Sequence, residues 1–319
     1  MNVSILIPCY NAEQWIGEAI ESALGQTYPD TEVIVWDDGS TDESPEIIAS
    51  HEPQIEWHRA PNQGGAAARN RLLERASGTW IQYLDADDYL EPNKIAQQVE
   101  ILGDAREEID VLYGPNTVQH HDDEAVWREL DPIEYTEDPW AALVTWDLPQ
   151  TGSPLWRKRA LLDVDGWKED QPVCQEHELY LRLLMAGKNF QYADAGGAVY
   201  RHWSEDTVCR SDQARTKRHQ VEIVRRAEKF MVANNLMTRR RRTVLNNAYH
   251  SYSRMIWLFD RERATELMQH VKRQTEGAFR PSKTRVPKLY RWTYATLGFN
   301  AAEQAAALKR KASSLISGL

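Results

Sequence analysis

The sequence predicts an α/β fold, in which a mainly parallel sheet is flanked by helices, followed by an all-helical C-terminal extension. Over the first 115 residues, short β-rich runs alternate with segments of helical periodicity. The run Val3–Ile7 is almost continuously apolar, which is typical of a strand buried on both faces. Beyond residue 205 the pattern is almost entirely helical. Strand–helix alternation favours a parallel sheet with right-handed crossovers, because each helix packs back onto the sheet between two strands.

The elements follow one another along the chain. Predicted strands lie at Val3–Ile7, Glu32–Trp36, Ile55–His58, Trp80–Leu84 and Val111–Tyr113. Predicted helices lie at Glu13–Leu24, after Ser44-Pro45, and at Gly64–Ala76, Asn93–Leu102 and Glu176–Ala186. The pair Ser44-Pro45 combines an N-cap with a proline at the first helical position. From 116 to 204 the pattern is less regular, so we expect a domain at 1–204, divided near residue 115, and an extension at 205–319.

Composition indicates an ordinary globular protein. Of the 319 residues, 42% are apolar and 27% are charged, and no run approaches the roughly 20 apolar residues that a membrane-spanning helix needs. The N-terminus has no basic segment before its apolar run, so it predicts a strand rather than a signal peptide. The three cysteines, Cys9, Cys174 and Cys209, show no spacing typical of a zinc cluster or a disulfide scaffold. We therefore expect a cytoplasmic location.

Charge divides the chain into two parts. Residues 1–204 hold 14 Lys and Arg against 38 Asp and Glu, a net charge of −24, whereas residues 205–319 hold 24 against 10, a net charge of +14. Two hypotheses fit: the basic part docks on the acidic domain, or it contacts an anionic membrane surface from the cytoplasmic side. The run Arg239–Arg242 is the densest basic cluster, and either a solvated helix face or a contact with anionic lipid explains it.

Polar residues gather where the predicted strands end. Residues 8–11 follow the first strand, residues 37–42 the second, and residues 85–88 the fourth. Open parallel sheets bind ligands beyond the carboxyl ends of their strands. The sequence therefore predicts one site at this edge of the sheet.

The acidic cluster Asp85-Ala86-Asp87-Asp88 is a candidate metal site. Crowded carboxylates repel one another unless a cation neutralises them, and hard oxygen ligands select Mg²⁺ or Mn²⁺. A solvated acidic loop is the alternative. The position directly after Trp80–Leu84 favours the metal site.

Asp38, Tyr10 and Arg69 are candidate ligands of a nucleotide. A carboxylate at Asp38 can accept a hydrogen bond from the imide N–H of a uracil, and Tyr10 can stack on the base, although Asp38-Gly39 also fits an ordinary turn. Gly64 and Gly65 at a helix start permit close approach of phosphate, and Arg69 can add a bidentate contact. Alternatively, Arg69 is a structural arginine that pairs with the acids of the site.

Glu176 is a candidate general base. It lies in the first turn of the predicted helix Glu176–Ala186, where a carboxylate can remove a proton from an acceptor hydroxyl. The alternative is an acid that only interacts with the helix dipole, worth about 0.3–1 kcal/mol. The residue pattern does not separate these two roles.

Several of these segments together resemble the family 2 glycosyltransferases of GT-A fold, a Rossmann-like α/β fold. The resemblance rests on Ser4–Asn11, Val35–Asp42, Asn62–Asn70, Leu84–Asp88, Ser153–Lys158, Glu176–Arg182 and Tyr200–Trp203. Their order and spacing match the family, and the resemblance covers about residues 1–204. It implies that residues 1–115 bind the nucleotide and residues 116–204 contribute the acceptor part.

The resemblance implies inverting transfer of a sugar from a nucleotide diphosphate, usually a UDP-sugar, to a hydroxyl of a glycan or lipid-linked acceptor. By position, the base would lie against Pro8, Tyr10 and Asp38, with Glu13 and Arg69 nearby, the ribose near Asp85, and a Mn²⁺ or Mg²⁺ ion on Asp87, the second aspartate of a DxD motif. Glu176 matches the catalytic base, which is usually an Asp after a Glu; here Gln175 precedes a Glu.

Two other functions remain as alternatives. A nucleotidylyltransferase uses a similar sheet, but it would carry a glycine-rich basic loop after the first strand, where this chain has Pro8–Asn11. A non-catalytic sensor of nucleotide sugars, or an assembly protein, would keep the fold without turnover. Sugar stacking and core packing explain Trp127, Trp140, Trp146 and Trp156 equally well. No nucleic-acid partner is expected.

Overall fold

The computed structural model describes residues 1–103, 108–121, 125–134, 136–202, 212–282 and 286–317. It separates into two compact units, Met1–Ser211 and Asp212–Leu319, which we call the α/β unit and the helical unit. Within the described residues, no helix is long and apolar enough to cross a membrane. Cys9 and Cys174 are buried, whereas Cys209 and Trp203 lie outside the described residues.

The α/β unit contains eleven strands and seven helices among its described residues. The strands are β1 (Val3–Cys9), β2 (Thr31–Asp37), β3 (Glu56–Arg59), β4 (Trp80–Tyr83), β5 (Tyr89–Leu90), β6 (Val111–Tyr113), β7 (Asn116–His121), β8 (Val126–Asp131), β9 (Leu155–Arg157), β10 (Phe190–Tyr192) and β11 (Ala198–His202). The helices are α1 (Ile16–Leu24), α2 (Ser44–Ala49), α3 (Gly65–Arg75), α4 (Lys94–Leu102), α5 (Pro139–Thr145), α6 (Lys158–Leu162) and α7 (Gln175–Met185).

The main sheet has seven strands in the order β10-β6-β9-β4-β1-β2-β3. Strand β1 lies near its centre and pairs in parallel with β2 and β4. Strand β9 is antiparallel to both of its neighbours, β4 and β6. The predicted α/β fold with a mainly parallel sheet is confirmed, and the antiparallel strand is an addition that the alternation pattern did not reveal.

A second sheet of four strands, in the order β5-β11-β7-β8, forms from residues with no strand periodicity. Strand β7 is largely polar, and β8 is exposed along its whole length. These strands are held by pairing with residues far away in the sequence, such as β7 with β11. The local apolar pattern therefore gave little indication of this second sheet.

The core lies between the main sheet and its helices. In α1, Ile16, Ala19, Ile20 and Ala23 are buried at the spacing of one helix face. Trp156 is fully buried and Trp140 is 6% exposed, so core packing explains both. Trp127 is 45% exposed and stacks on His120 at a centroid distance of 4.8 Å.

The helical unit contains α8 (Gln213–Ala233), α9 (Arg239–Ile256), α10 (Arg261–Gln274), α11 (Lys288–Leu297) and α12 (Phe299–Ser317). Its interior includes the buried carboxylate of Glu228, which accepts hydrogen bonds from Arg242 at 2.6 Å, Tyr249 at 2.8 Å and His270 at 2.9 Å. Arg241 donates to the carbonyl of Leu236 at 2.8 Å. Half of the basic run Arg239–Arg242 is therefore engaged inside the helical unit.

Candidate active site

A cleft of about 550 Å³ opens at the edge of the main sheet where β1, β2 and β4 end. Seven predicted site residues line it: Pro8, Tyr10, Glu13, Asp38, Arg69, Asp85 and Asp87. They come from loops far apart in the sequence, and the parallel strands bring those loops to one edge. Glu176, the eighth, is not among the lining residues, but its neighbour Gln175 is hydrogen-bonded to Arg69 at 3.2 Å.

Hydrogen bonds join the loop after β1 to the loop after β2. Asn11 adopts a φ of 48°, and its side chain accepts from the backbone N–H of Thr41 at 2.8 Å. Glu13 accepts from the backbone N–H of Glu43 at 2.9 Å, and its own N–H donates to Asp42 at 3.0 Å. The carboxylate of Glu13 thus holds the two loops together, which keeps Tyr10 at the cleft.

Asp38 shapes the next part of the cleft. Its two carboxylate oxygens accept from the backbone N–H groups of Gln63 at 3.0 Å and Gly64 at 2.8 Å. Gly39 follows with a φ of 79°, and a Cβ there would lie 2.9 Å from the backbone nitrogen of Asn62. A glycine is therefore required next to Asp38. The carboxylate holds the glycine turn before α3 and keeps acceptor capacity toward the cleft, because each oxygen has two lone pairs.

Arg69 connects the acidic turn after β4 to helix α7. Its guanidinium lies 2.5 Å from Asp85, stacks 4.8 Å from the ring centroid of Trp167, and donates to Gln175. Burial opposes the charge of Arg69, but the hydrogen bond and charge of Asp85, together with the charge of Glu176, raise the arginine pKa above its ordinary value. Arg69 is therefore a structural partner of the site acids as well as a residue that lines the cleft.

Asp87 lies on the cleft, half-buried, in a turn held by Arg201. Arg201 donates to the backbone carbonyl of Asp87 at 3.1 Å, and the backbone N–H of Arg201 donates to Asp88 at 2.8 Å. Its side chain also pairs with Glu18 at 2.5 Å. Arg201 was not predicted from the sequence as a residue of the site. The feature that could have indicated it is its position as the basic residue of the motif Tyr200–Trp203.

Asp88 differs from its neighbours because it is 5% exposed. Burial raises the pKa of Asp88 well above its ordinary value, and the charges of Asp87 and Asp85 raise it further. Asp88 thus supports the turn from inside, and Asp85 and Asp87 are the carboxylates at the cleft.

The charge of the cleft is unbalanced. Its lining includes five carboxylates, Glu13, Asp38, Asp42, Asp85 and Asp87, whereas Arg69 is the one basic side chain among the described lining residues. No three His, Cys, Asp or Glu side chains in the described part of the chain are placed to hold a metal ion by themselves. Mg²⁺ and Mn²⁺ need only one or two carboxylates when substrate phosphates supply the other ligands. Asp87 fits a divalent ion that binds together with a diphosphate.

Glu176 lies in the first turn of α7, and its side chain is 18% exposed. The Nδ1 atom of His177 is 3.7 Å from its Oε1 atom, and the imidazole stacks face to face on Trp146 at a centroid distance of 3.8 Å. Burial raises the pKa of Glu176, but the interaction with His177 and the charge of Arg69 lower it more, so it lies below the ordinary 4.5. Glu176 is therefore an ionised carboxylate beside Arg69.

The fold and the cleft define a Rossmann-like α/β protein with an acidic ligand site at the carboxyl ends of its strands. Residues 4–159 match the family described as "Glycosyl transferase family 2", and this part of the chain belongs to that family. The GT-A fold that the resemblance implied is also confirmed.

The relatives support the same assignment. A chondroitin synthase from Escherichia coli is 41% identical over 191 residues, which are 58% of this chain and 27% of that protein. An uncharacterised glycosyltransferase from Haemophilus influenzae is 42% identical over 104 residues, 31% of this chain and 42% of that protein. This chain spans less than half the length of the curated relatives it matches.

Solved structures share the fold. Staphylococcus aureus TarS 1-349, in complex with UDP-GlcNAc, superimposes with a TM-score of 0.66 at 17% identity, over 98% of this chain and 92% of that chain. The mannosyltransferase PcManGT from Pyrobaculum calidifontis, in complex with GDP-Man and Mn²⁺, has a TM-score of 0.54 at 18% identity, over 97% and 86% of the two chains. At these identities the likeness concerns the fold.

Proposed function

We propose that the chain transfers a sugar, with inversion, from a nucleotide diphosphate donor to a hydroxyl of a glycan or lipid-linked acceptor. The observation that supports this most is the excess of carboxylates around a cleft on a family 2 glycosyltransferase fold. Such a cleft repels a bare diphosphate and accepts one that arrives with a divalent cation.

The donor would lie along the cleft from Tyr10 to Asp87. Tyr10 is 51% exposed, which leaves its ring available to stack on a uracil beside Pro8, and Asp38 would accept from the imide N–H. Asp85, fixed by Arg69, would receive a ribose hydroxyl. A UDP-sugar fits these groups, and the UDP-GlcNAc in the TarS complex is in line with that class of donor.

Asp87 would hold Mn²⁺ or Mg²⁺ against the diphosphate. When bound, such an ion supplies Lewis-acid stabilisation of the charge on the departing diphosphate. The Mn²⁺ in the PcManGT complex supports this choice of ion. Arg69, which lines the same cleft, would add a fixed positive charge for the diphosphate, and Arg201 holds the turn that contains Asp87.

Glu176 would act as the general base. The acceptor oxygen forms a bond to the anomeric carbon while the bond from that carbon to the diphosphate oxygen breaks and its electron pair leaves with the nucleotide. The acceptor proton passes to a carboxylate oxygen of Glu176, which is ionised because His177 and Arg69 keep its pKa low. A single displacement from the opposite face inverts the anomeric configuration.

We also infer that the helical unit contacts an anionic membrane from the cytoplasmic side. Its support is the net charge of +14 over residues 205–319, because basic residues near an anionic bilayer contribute about 1 kcal/mol each. Such a contact would hold the protein at the surface where a lipid-linked acceptor is found.

Release of UDP with an acceptor panel, together with thermal shifts in UDP and Mn²⁺, tests the transfer. Asp87→Asn is expected to abolish the Mn²⁺-dependent shift and to lower transfer by about 100-fold or more, because the ion loses its protein ligand. Asp170→Asn, at a carboxylate that is 78% exposed near Lys168, serves as the matched control. Nucleotide binding without UDP release in any acceptor would indicate a sensor. An unchanged Mn²⁺ response in Asp87→Asn would rule out the metal assignment.

A further inference from the structure

The last two helices of the helical unit expose large apolar side chains. Leu289 and Trp292 on α11 are 64% and 63% exposed, and Leu308 on α12 is 65% exposed. Leu289 and Trp292 are three residues apart and lie on one side of α11, opposite the buried Tyr294. This apolar side of α11 is therefore turned to solvent.

A groove of about 360 Å³ joins the two helices. Leu289 and Thr293 of α11 line it together with Ala302, Ala305 and Ala306 of α12, and its surface is mainly apolar. Three cations also border it: Arg254, Lys309 and Arg310. We call Leu289, Trp292, Lys309 and Arg310 the α11–α12 face. Because Leu289 and Lys309 border one groove, apolar and basic groups meet on the same side.

The charge of this region is positive. Arg254 pairs with the buried Glu303 at 2.8 Å, and Arg310 lies 3.9 Å from the same carboxylate. Glu303 thus interacts with two of the three cations that border the groove, and the exposed Lys288 adds a fourth cation next to Leu289. A partner with anionic groups above an apolar layer is complementary to this arrangement.

We propose that the α11–α12 face docks on the surface of an anionic lipid bilayer. Trp and Leu side chains insert at the boundary between headgroups and acyl chains, and adjacent Lys and Arg side chains pair with lipid phosphates. The inference rests on the proposed membrane contact of the helical unit and assigns it to one surface.

The basic run Arg239–Arg242 is the competing surface within the same unit. Arg242 pairs with Glu228, and Arg241 donates to the carbonyl of Leu236, so the run presents only part of its charge outward. It has no exposed large apolar side chain within it. The α11–α12 face combines both kinds of group.

Vesicle flotation of the full chain tests the proposal. The probes are phosphatidylcholine vesicles and vesicles that also contain phosphatidylglycerol. The native chain is expected to float with the anionic vesicles and to stay behind with the neutral ones, and high salt weakens the partition. Neutralising Lys309 and Arg310 with Lys309→Gln and Arg310→Gln is expected to weaken partition by about fivefold for each residue.

The decisive variant is Leu289→Glu with Trp292→Glu, which removes apolar contacts and adds repulsion. Its matched control is Val126→Glu with Leu130→Glu on β8, where the two side chains are 60% and 59% exposed in the α/β unit. The first pair is expected to abolish flotation, and the control pair is expected to float like the native chain. Transfer to a water-soluble acceptor is expected to be the same in the native chain and in Leu289→Glu/Trp292→Glu, which separates this proposal from the transferase function.

Three results would overturn the proposal. Failure of the native chain to float with anionic vesicles excludes the membrane contact altogether. Normal flotation of Leu289→Glu/Trp292→Glu leaves a membrane contact but excludes this face. The third result would come from sedimentation analysis. If the native chain is an oligomer and Leu289→Glu/Trp292→Glu is a monomer that still floats normally, the face binds another copy of the chain.

Discussion

The helices of the α/β unit and those of the helical unit begin differently. Among the helices described in residues 1–211, only α5 has a side-chain N-cap, from Asp138. The first three helices of the helical unit are all capped, by Asp212, Thr238 and Asp260, each of which accepts from a backbone N–H three residues on. A cap of this kind contributes about 1 kcal/mol.

Two of the helices without a side-chain cap begin at the cleft. The N-terminal regions of α1 and α3 line the cleft through Trp15, Gly64 and Gly65. A side chain in the N-cap position of α3 would occupy the space next to its backbone N–H groups, and Gly64 leaves that space open for an anionic group of a ligand. In the first three helices of the helical unit, the same kind of terminus is closed by a side chain of the protein itself, which stabilises the helix.

The two units also differ in how the charges of their carboxylates are compensated. Glu228 of the helical unit has three donors from Arg242, Tyr249 and His270, so its charge is compensated internally. In the α/β unit, five carboxylates share a cleft with a single arginine. The first arrangement stabilises a fold, and the second leaves an excess of negative charge at the cleft.

The largest expected effect is the loss of turnover in Glu176→Gln. The amide keeps the size of the side chain but cannot accept the acceptor proton, so kcat is expected to fall by about 10²–10⁴-fold. Nucleotide affinity is expected to stay unchanged, because Glu176 is not among the residues that line the cleft. Steady-state kinetics and calorimetry with UDP and Mn²⁺ measure the two quantities.

Glu176→Asp is the companion variant. It keeps a carboxylate one methylene shorter, the residue that the family resemblance leads one to expect, and part of the activity is expected to remain. Near-native turnover in Glu176→Gln would mean that another group accepts the proton.

Much of the α/β unit follows from local sequence pattern. The predicted strands at Val3–Ile7 and Val111–Tyr113 lie within the observed β1 and β6, because an apolar run bounded by polar residues has few other conformations that bury it. Strand β9 is three residues long and antiparallel, and it owes its place to pairing with β4 and β6. No local pattern encodes such pairing.

The site shows the same division. Asp38, Asp85 and Asp87 were predictable, because residues directly after parallel strands meet at one edge. The contacts of Arg201 with the turn at Asp87, and the stack of His177 on Trp146, join segments that are distant in sequence. Their geometry depends on tertiary packing, so periodicity and spacing could not reveal it.

The next effect is on stability, in Glu228→Ala. Removal of this buried carboxylate leaves Tyr249 without its acceptor and Arg242 without its partner. The free energy of unfolding of the helical unit is expected to fall by about 3 kcal/mol, the lower end for a broken buried pair, because Arg242 is 23% exposed. Urea denaturation measures the loss.

Nucleotide affinity is the control in this variant. The residues that line the cleft all belong to the α/β unit, so affinity for UDP with Mn²⁺ is expected to equal that of the native chain. A marked loss of affinity would show that Glu228 of the helical unit also affects nucleotide binding in the α/β unit. Glu228→Gln keeps one acceptor oxygen, so its free energy of unfolding is expected to lie between those of the native chain and Glu228→Ala.

A smaller effect is expected in the pH profile of His177→Phe. In the native chain, burial raises the pKa of Glu176, but His177 and Arg69 lower it more, so the base loses its charge only at acidic pH. Phe keeps an aromatic ring on Trp146 but has no ring nitrogens. The variant therefore loses the interaction with His177 that lowers the pKa of Glu176, and burial then raises this pKa. The acid limb of kcat/KM therefore moves to higher pH.

Kinetics across about pH 4 to 8 measure this limb. Trp146→Leu removes the stack and keeps the imidazole, so its limb is expected to stay closer to that of the native chain. Coincident profiles for the native chain and His177→Phe would mean that the histidine only packs.

The smallest effect concerns the caps themselves. Asp260→Ala removes the acceptor for the backbone N–H of Arg263 at the start of α10, and the free energy of unfolding is expected to fall by about 1 kcal/mol. Asp260→Asn keeps a capping oxygen and is expected to restore most of that loss. Urea denaturation resolves the two, and UDP affinity is expected to stay constant in both. A drop in UDP affinity in Asp260→Ala would mean that the start of α10 affects the cleft, because a cap that only stabilises its own helix has no other route to the nucleotide.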